Sequence, residues 1–190
     1  MIQTVDVIIL GAGPGGLSAA TALALRGLDV MVVNDGYLMG YGIEGAFKSK
    51  AEFEIARLYA NTALRQDLFT IRSTPDFGAV KRAIERTAKN LSSTITMRLQ
   101  RLGIKLLKGA GRFADSRTVI VGDDIIKAGY IVIATGSVPR VFPGVTVDGS
   151  RGVTSDEIVR LTSLPESLLI LGAGVIGCEF ASIFNELGSK

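Results

Sequence analysis

Two glycine-rich segments of the same pattern lie far apart in the chain. The first contains Gly11, Gly13, Pro14, Gly15 and Gly16, and the second contains Gly172, Gly174 and Gly177. Each follows a short apolar run and opens a stretch of helical spacing. That context lets the backbone approach a pyrophosphate and lets a helix N-terminus hold it. The sequence therefore predicts two dinucleotide-binding units, with these residues as cofactor-binding residues.

Two further segments are candidates for the first of these sites. An acidic residue usually ends the second strand of such a unit and binds the ribose hydroxyls. By spacing that position is Asn34, which can hydrogen-bond a ribose without charge, and Asp35 beside it is the alternative partner. The turn Ala134-Thr135-Gly136 follows another apolar run. Taken alone, this turn is either a strand end or a ligand contact.

The elements that must position these residues alternate between strand and helix patterns. Val5–Leu10, a helix from Pro14 to Gly27, and Val30–Val33 form a βαβ unit. Later helices are predicted at 49–64, 77–102 (as one helix or as two with a break near 91–93), 156–161 and 175–187, and later strands at 104–107, 112–121, 125–126, 130–134 and 168–171.

These elements predict an α/β fold with two parts. Residues 1–148 form a Rossmann-like domain with a parallel sheet and a small antiparallel β-meander. Residues 149–190 form a linker and the first β-α of a second Rossmann domain. Because that second unit lacks its next strand, we expect the sequence to be a fragment.

Composition limits the possible functions. The net charge of +3 is too small to indicate nucleic-acid binding, and the absence of His excludes His-based catalysis and His metal ligation by this chain alone. The single Cys178 excludes an intramolecular disulfide, and we expect it to be a small buried packing residue. No apolar run is long enough for a signal peptide or a membrane span. We expect a cytoplasmic protein with no metal site and no nucleic-acid or membrane partner.

The motifs in this order resemble those of the pyridine nucleotide–disulfide oxidoreductases, among them dihydrolipoamide dehydrogenase and soluble pyridine nucleotide transhydrogenase. The resemblance rests on GAGPGG, on ATGSVP and above all on Thr154 to Lys190. It implies FAD at the first glycine segment with the Ala134–Gly136 turn against it. It also implies NAD or NADP at the second segment once the protein is complete, and a homodimer.

The sequence departs from this family at the redox loop, which reads roughly GGTCLNVGCIPSK in the family. Here the two cysteine positions are Tyr41 and Ala46, so neither a disulfide nor a reactive thiolate can form there. The loop nevertheless ends in Ser49-Lys50, and Glu179 follows the second glycine segment as in the family. The resemblance implies that Lys50 and Glu179 pair beside flavin N5 and are the catalytic residues.

Three functions remain open from the sequence. The first is an FAD-dependent NAD(P)H oxidoreductase that passes electrons to a small acceptor other than a disulfide. The second is a dihydrolipoamide dehydrogenase-like protein that has lost its redox disulfide. The third is a non-catalytic flavin-binding or interaction module. Tyr41 and Ala46 separate the first from the second, and NADPH-driven flavin reduction would separate the first from the third.

Overall fold

The computed structural model describes residues 2–64 and 74–190. The chain forms two compact units. The first unit comprises the residues up to Ile43 together with Asn90–Val138, and the second comprises Glu44–Lys89 together with Pro139–Lys190.

The first unit is built on one sheet of six strands. In space the strands follow the order β3-β2-β1-β6-β5-β4. Their bounds are β1 Ile2–Leu10, β2 Val30–Asn34, β3 Lys105–Lys108, β4 Arg112–Asp115, β5 Thr118–Val121 and β6 Asp124–Ile133. β1 pairs in parallel with both β2 and β6, and β2 pairs in parallel with β3. β5 pairs antiparallel with β4 and β6, so the predicted parallel sheet and antiparallel meander form one continuous sheet.

Five α-helices accompany the sheet and the linker in the described part of the chain. Their bounds are α1 Pro14–Ala24, α2 Lys48–Leu64, α3 Phe77–Arg101, α4 Ser155–Ile158 and α5 Val175–Leu187. A π-helical turn, Gly42–Phe47, runs directly into α2. The predicted break near residues 91–93 is wrong, because α3 continues through them. No helix among the described residues is both long and apolar enough to cross a membrane.

The sheet of the first unit is buried on both faces, as the short β-branched runs predict. On one face Ile8 and Leu10 of β1 pack with Met31 and Val33 of β2. On the other face the alternate residues of the same strands pack against α1 and the end of α3. Because side chains alternate along a strand, one apolar run supplies both cores. The two apolar clusters hold β1 and β6 in place, and the first glycine segment follows the end of β1.

The second unit has its own apolar core around α5. Phe180, Ile183 and Phe184 are buried there with Ala56 of α2 and Phe77 of α3. α2 therefore packs on α5 through apolar side chains, which places the N-terminal turn of α2 beside that of α5.

The predicted strand Leu168–Leu171 is not formed. Leu168 N–H donates to the Lys190 carbonyl at 2.9 Å, and Lys190 N–H donates to Glu166 at 3.0 Å. A strand needs this hydrogen bonding to continue as a ladder, and no ladder is assigned to residues 168–171.

Two other strand expectations are also changed by the structure. Residues 125–126 and 130–134 were predicted as separate strands, but they belong to the single long strand β6. Residues 112–121 were predicted as one stretch, but they divide into β4 and β5 at a turn. β6 is continuous because it pairs with β1 over its whole length, a long-range contact that local spacing does not reveal.

Candidate functional sites

The first glycine segment makes the tight turn that its sequence predicts. Gly11 has φ +104°, and a Cβ there would lie 2.2 Å from the Ala134 carbonyl oxygen. A Cβ on Gly16 would lie 2.0 Å from the Gly11 carbonyl oxygen. Any side chain at either position would collide with backbone, so these two glycines allow β1, α1 and the end of β6 to meet closely.

The first turn of α1 is open in the way that a phosphate-binding turn requires. Gly13 is the N-cap of α1, no side chain caps it, and Pro14 follows at the start of the helix. A Cβ on Gly13 or Gly15 would meet no atom within 4 Å. The N–H groups of a first helical turn lack partners within the helix and attract anions. The residues present therefore fit a dinucleotide pyrophosphate.

The second glycine segment repeats this backbone geometry within the second unit. Gly172 has φ +110°, and a Cβ on Gly177 would lie 2.3 Å from the Gly172 carbonyl oxygen. Gly174 caps α5 with φ −74° and ψ 176°, and Gly13 caps α1 with φ −73° and ψ 179°. The sequence repeat is thus also a structural repeat, and the second segment fits a pyrophosphate by the same test.

Asn34 lies against the first glycine segment, as predicted for a ribose-binding position. Its side-chain oxygen Oδ1 accepts from Ala12 N–H at 3.0 Å, and its Nδ2 donates to the Gly36 carbonyl at 2.7 Å. The amide thus ties the glycine segment to the loop that follows β2. Nδ2 also donates to the Tyr37 carbonyl at 3.5 Å, so what Asn34 still offers a ribose is the second lone pair of Oδ1. Asp35 is exposed.

The turn Ala134-Thr135-Gly136 also lies against the first glycine segment. Ala134 N–H donates to the Leu10 carbonyl at 2.8 Å, which continues the ladder between β6 and β1. Gly136 has φ +80°, a left-handed conformation that favours glycine. The predicted FAD-binding residues of the first unit are therefore gathered at the carboxyl ends of β1, β2 and β6, where ligands of open α/β sheets bind.

Lys50 and Glu179 form an ion pair in the second unit. The distance from Lys50 Nζ to Glu179 Oε2 is 2.7 Å, with 63% of the lysine side chain and 14% of the glutamate side chain exposed. Ser49 Oγ lies 3.5 Å from the other carboxylate oxygen of Glu179. The pairing predicted from the family resemblance is therefore present, and its lysine is open to solvent.

The residues that replace the two cysteines are both exposed. Tyr41 directly precedes the π-helical turn, and Ala46 lies within it, one turn before Lys50. π-Helical turns of this kind are often found at functional sites. The Ala46 methyl group cannot exchange electrons with anything bound there.

Cys178 was expected to be buried, and this expectation is wrong. The thiol is exposed, and its Sγ lies 3.5 Å from the Ala173 carbonyl oxygen. The buried residues of α5 are Phe180, Ile183, Phe184 and Leu187. At about 100° per residue they occupy the face of the helix opposite Cys178, so the core does not reach it.

Four charged residues of the second unit were not singled out from the sequence. Lys48 and Glu52 of α2 are 6% and 1% exposed. Lys48 Nζ lies 2.7 Å from a carboxylate oxygen of Glu85 on α3, and Glu52 pairs with Lys81 of α3. The signal that could have identified them is the matching spacing, since each helix carries a Lys followed four residues later by a Glu.

Burial and ion pairing shift the pKa values of Glu52 and Lys48. Burial raises the pKa of Glu52 by more than the hydrogen bond from Lys81 lowers it. Glu52 Oε2 is buried and has no hydrogen-bond partner. Burial also lowers the pKa of Lys48, but hydrogen bonds to Glu85 and Glu44 outweigh this effect, and the pKa is raised overall. Lys48 therefore stays charged, whereas burial destabilises the ionised form of Glu52.

Comparison with known proteins places the chain in a family. Residues 5–190 match the family model described as pyridine nucleotide-disulphide oxidoreductase. The chain belongs to the pyridine nucleotide-disulphide oxidoreductase family. It is 36% identical to a soluble pyridine nucleotide transhydrogenase of Mycobacterium tuberculosis, over 97% of this chain and 42% of that protein. It is 35% identical to a dihydrolipoyl dehydrogenase of Chlamydia pneumoniae, over 99% of this chain and 42% of that protein.

Two solved structures share the fold of this chain. LpdA from Mycobacterium tuberculosis superposes with a TM-score of 0.86 at 25% identity, over 98% of this chain and 43% of that one. The flavoprotein disulfide reductase RclA from Escherichia coli superposes with a TM-score of 0.85 at 26% identity, over 99% and 41%. The α/β fold predicted from the sequence is confirmed, and this chain spans about two fifths of the length of these relatives.

Family membership implies FAD and NAD or NADP as cofactors. Both glycine segments fit that implication by their geometry. The family name refers to a disulfide, and this chain has no cysteine in the loop from Met39 to Lys50.

Proposed function

We propose that this chain is the N-terminal portion of an FAD-dependent NAD(P)H oxidoreductase that transfers electrons to an acceptor other than a disulfide. In this proposal residues 1–148 bind FAD, and residues 149–190 begin the domain that binds the nicotinamide cofactor. The complete protein is a cytoplasmic homodimer. Bound FAD supplies the two-electron chemistry that joins the nicotinamide to a small-molecule acceptor.

One observation carries the proposal. The Lys50–Glu179 pair is formed at 2.7 Å, although both cysteine positions are occupied by Tyr41 and Ala46. A protein that had lost all flavin chemistry would have no need of an exposed lysine held by a mostly buried carboxylate. Loss of thiol chemistry alone would leave this pair in place, as observed.

Each predicted residue has a physical role in this function. Backbone N–H groups at Gly13 to Gly16 hold the FAD pyrophosphate, and the same groups from Gly174 to Gly177 hold that of the nicotinamide cofactor. Asn34 and Asp35 bind the ribose of FAD. The ammonium of Lys50 stabilises negative charge that develops on the flavin, and Glu179 holds the ammonium in position.

A non-catalytic flavin-binding module is the second candidate, and one observation favours it. Three of the four hydrogen bonds that the Asn34 side chain can make are already used by Ala12, Gly36 and Tyr37, which weakens ribose recognition. In the remaining alternative, the protein is related to dihydrolipoamide dehydrogenase and has lost only its disulfide. It makes the same use of Lys50 and differs in the acceptor.

The first experiment measures FAD bound to the purified 190-residue chain, by visible absorption and chromatography of the released flavin. We compare the wild-type chain with Gly13→Val, which places its Cβ in open space above α1 with no protein atom within 4 Å. Gly174→Val is the matched control, because its backbone geometry is the same but it lies in the second segment.

We expect stoichiometric FAD in the wild-type chain and in Gly174→Val, and a large loss in Gly13→Val with no greater change in unfolding than in Gly174→Val, since both replace an N-cap glycine. A wild-type chain that neither contains FAD nor takes it up would overturn the proposal. Equal FAD in all three variants would show that the flavin binds elsewhere.

A further inference from the structure

Four charged residues, of which Lys48, Glu52 and Lys81 are buried or partly buried and Glu85 is exposed, form two ion pairs, or rungs, between α2 and α3. Lys48 pairs with Glu85, and Glu52 pairs with Lys81. Along α2 the order is Lys then Glu, and along α3 it is also Lys then Glu. Because the first residue of one helix pairs with the last of the other, the two helices meet antiparallel and each rung joins unlike charges. We call these four residues the ionic ladder.

The ionic ladder favours a single register of α2 on α3. A slide of one turn in one direction would place Lys48 opposite Lys81 and Glu44 opposite Glu85. A slide in the other direction would place Glu52 opposite Glu85. Each shift therefore brings like charges together, and the repulsion is strongest at Lys48, Glu52 and Lys81, whose side chains are at most 15% exposed.

The register matters because Lys50 lies on the opposite side of the same helix. Lys48 and Glu52 are four residues apart and share one face of α2. Lys50 is two residues from each, about 160° around the helix from both. Its side chain is 63% exposed and reaches Glu179 of α5. A one-turn slide of α2 moves Lys50 by roughly 5.4 Å, which is enough to break a 2.7 Å ion pair.

Lys81 connects the ionic ladder to a further part of the second unit. Its ammonium donates to the Val159 carbonyl at 2.8 Å and lies 5.0 Å from the centre of the Phe77 ring. One rung is therefore anchored at α2, at α3 and just after α4. The other rung is reinforced by Glu44, whose carboxylate lies 2.9 Å from Lys48 Nζ. Each of the two ion pairs has at least one further partner. A change in the register of α2 on α3 must therefore break several contacts at once.

We propose that Lys48, Glu52, Lys81 and Glu85 are positioning residues: the ionic ladder sets the register of α2 and thereby holds Lys50 opposite Glu179. The chemical importance of Lys50 rests on the proposed function, but the register itself does not. The test therefore measures helix positions rather than flavin chemistry. A negative result for the register of α2 then leaves the proposed function unaffected, and a negative result for the proposed function leaves the register unaffected.

The test is a pair of nitroxide distances measured by pulsed electron paramagnetic resonance in a Cys178→Ser background. One pair joins Leu58→Cys of α2 to Arg86→Cys of α3, and the other joins Leu58→Cys to Asn185→Cys of α5. All three labelled positions are exposed. The perturbing change is Glu85→Lys, which sets two lysines against each other in the native register and offers Glu52 a partner after a slide.

The controls isolate charge pairing from other effects. Glu85→Gln removes the charge without reversing it. Glu54→Lys reverses a charge on α2, where the glutamate side chain is 61% exposed and outside the ionic ladder. Lys48→Glu combined with Glu85→Lys restores the rung with its signs exchanged.

We expect Glu85→Lys to shift both distances by about one helical turn, roughly 5 Å, or to split each into two populations. The three controls keep the wild-type distances. Unchanged distances in Glu85→Lys would overturn the register proposal. A shift between α2 and α3 without a shift between α2 and α5 would show that α3 moves instead, and would overturn the positioning of Lys50.

Discussion

Replacing Lys81 by Met leaves Glu52 buried without its cation, and the resulting loss of stability depends strongly on pH. Glu52 is 1% exposed, and one of its oxygens already lacks a partner. Removing one member of a buried ion pair typically costs about 3–5 kcal/mol, because an uncompensated charge remains. Protonation of the Glu52 carboxyl removes the uncompensated charge and so reduces this loss of stability.

The free energy recovered when the Glu52 carboxyl binds a proton sets how the stability loss depends on pH. Burial already raises the pKa of Glu52 in the wild-type chain, and loss of Lys81 raises it further. Between the unfolded and folded pKa values the native state holds a proton that the unfolded state has lost, so stability falls as pH rises. Starting from the ordinary pKa of 4.5, holding the proton at pH 7 costs about 3 kcal/mol, and at pH 5 only about 0.7 kcal/mol.

The lost hydrogen bond from Lys81 to the Val159 carbonyl adds about 1 kcal/mol at both pH values. We therefore expect Lys81→Met to lose about 3–4 kcal/mol at pH 7 and about 1–2 kcal/mol at pH 5. The chain has no Trp, so urea unfolding is followed by far-ultraviolet circular dichroism. Wild type is measured beside the variant at each pH.

Two further variants sharpen the measurement. Glu52→Leu combined with Lys81→Met removes both charges, and replacing a buried pair by apolar residues is often neutral or stabilising. We expect it within about 1 kcal/mol of wild type at pH 7. Arg82→Met removes an exposed cation from the same helix and should change stability by no more than about 0.5 kcal/mol. A cost for Lys81→Met that is the same at pH 5 and pH 7 would refute the reasoning.

Two other predictions concern the first glycine segment and its neighbours. Gly16→Ala forces a Cβ to within 2.0 Å of the Gly11 carbonyl oxygen, so we expect loss of bound FAD together with a lower urea midpoint; a variant that keeps both would contradict the close approach of α1 to the turn. Asn34→Asp keeps an acceptor for Ala12 N–H but sets a carboxylate against the Gly36 carbonyl, which now accepts from Nδ2 at 2.7 Å. We expect a stability loss of about 1–3 kcal/mol at pH 7, reduced in acid as the carboxyl protonates, and urea titrations at the two pH values check it.

Much of the first unit follows from local sequence because its signals are local. The positive φ of Gly11 and the contact of Gly16 with the Gly11 carbonyl arise within one strand–turn–helix, and alternation in β1 and β2 separates the two cores. These features involve residues fewer than about 30 positions apart, where turn chemistry and periodicity are informative. The same reasoning identified the second glycine segment, whose backbone copies the first.

The expectations that were wrong depend on distant partners. The length of β6 is set by its pairing with β1, more than a hundred positions away. Leu168–Leu171 has the composition of a strand, but strand structure requires a ladder of partners that composition does not supply. Cys178 was assigned to the core from its residue type alone, whereas its exposure follows from which face of α5 the phenylalanines occupy.

The ionic ladder was missed for the same reason. Lys48 and Glu52 look like ordinary solvated helix charges until their partners on α3 are known, and those partners lie 37 and 29 positions further along the chain. Spacing within α2 shows that the two side chains share a face. Only the packing of α2 on α3 shows that this face is buried.

The loss of both cysteines changes what holds the start of α2. In the family that the sequence resembles, a disulfide can close the loop before this helix, so reduction alters the covalent structure there. In this chain Tyr41 and Ala46 cannot do so, and Glu44 and Lys48 instead join the π-helical turn to α2 at 2.9 Å. Because the pKa of Lys48 is raised above its ordinary value of 10.5, the lysine keeps its charge at neutral pH and loses it as pH rises through the folded pKa. The two side chains of this ion pair are 8% and 17% exposed, so salt screens it little. The segment that carries Lys50 is therefore held by a link that neither reductant nor neutral-range pH disturbs.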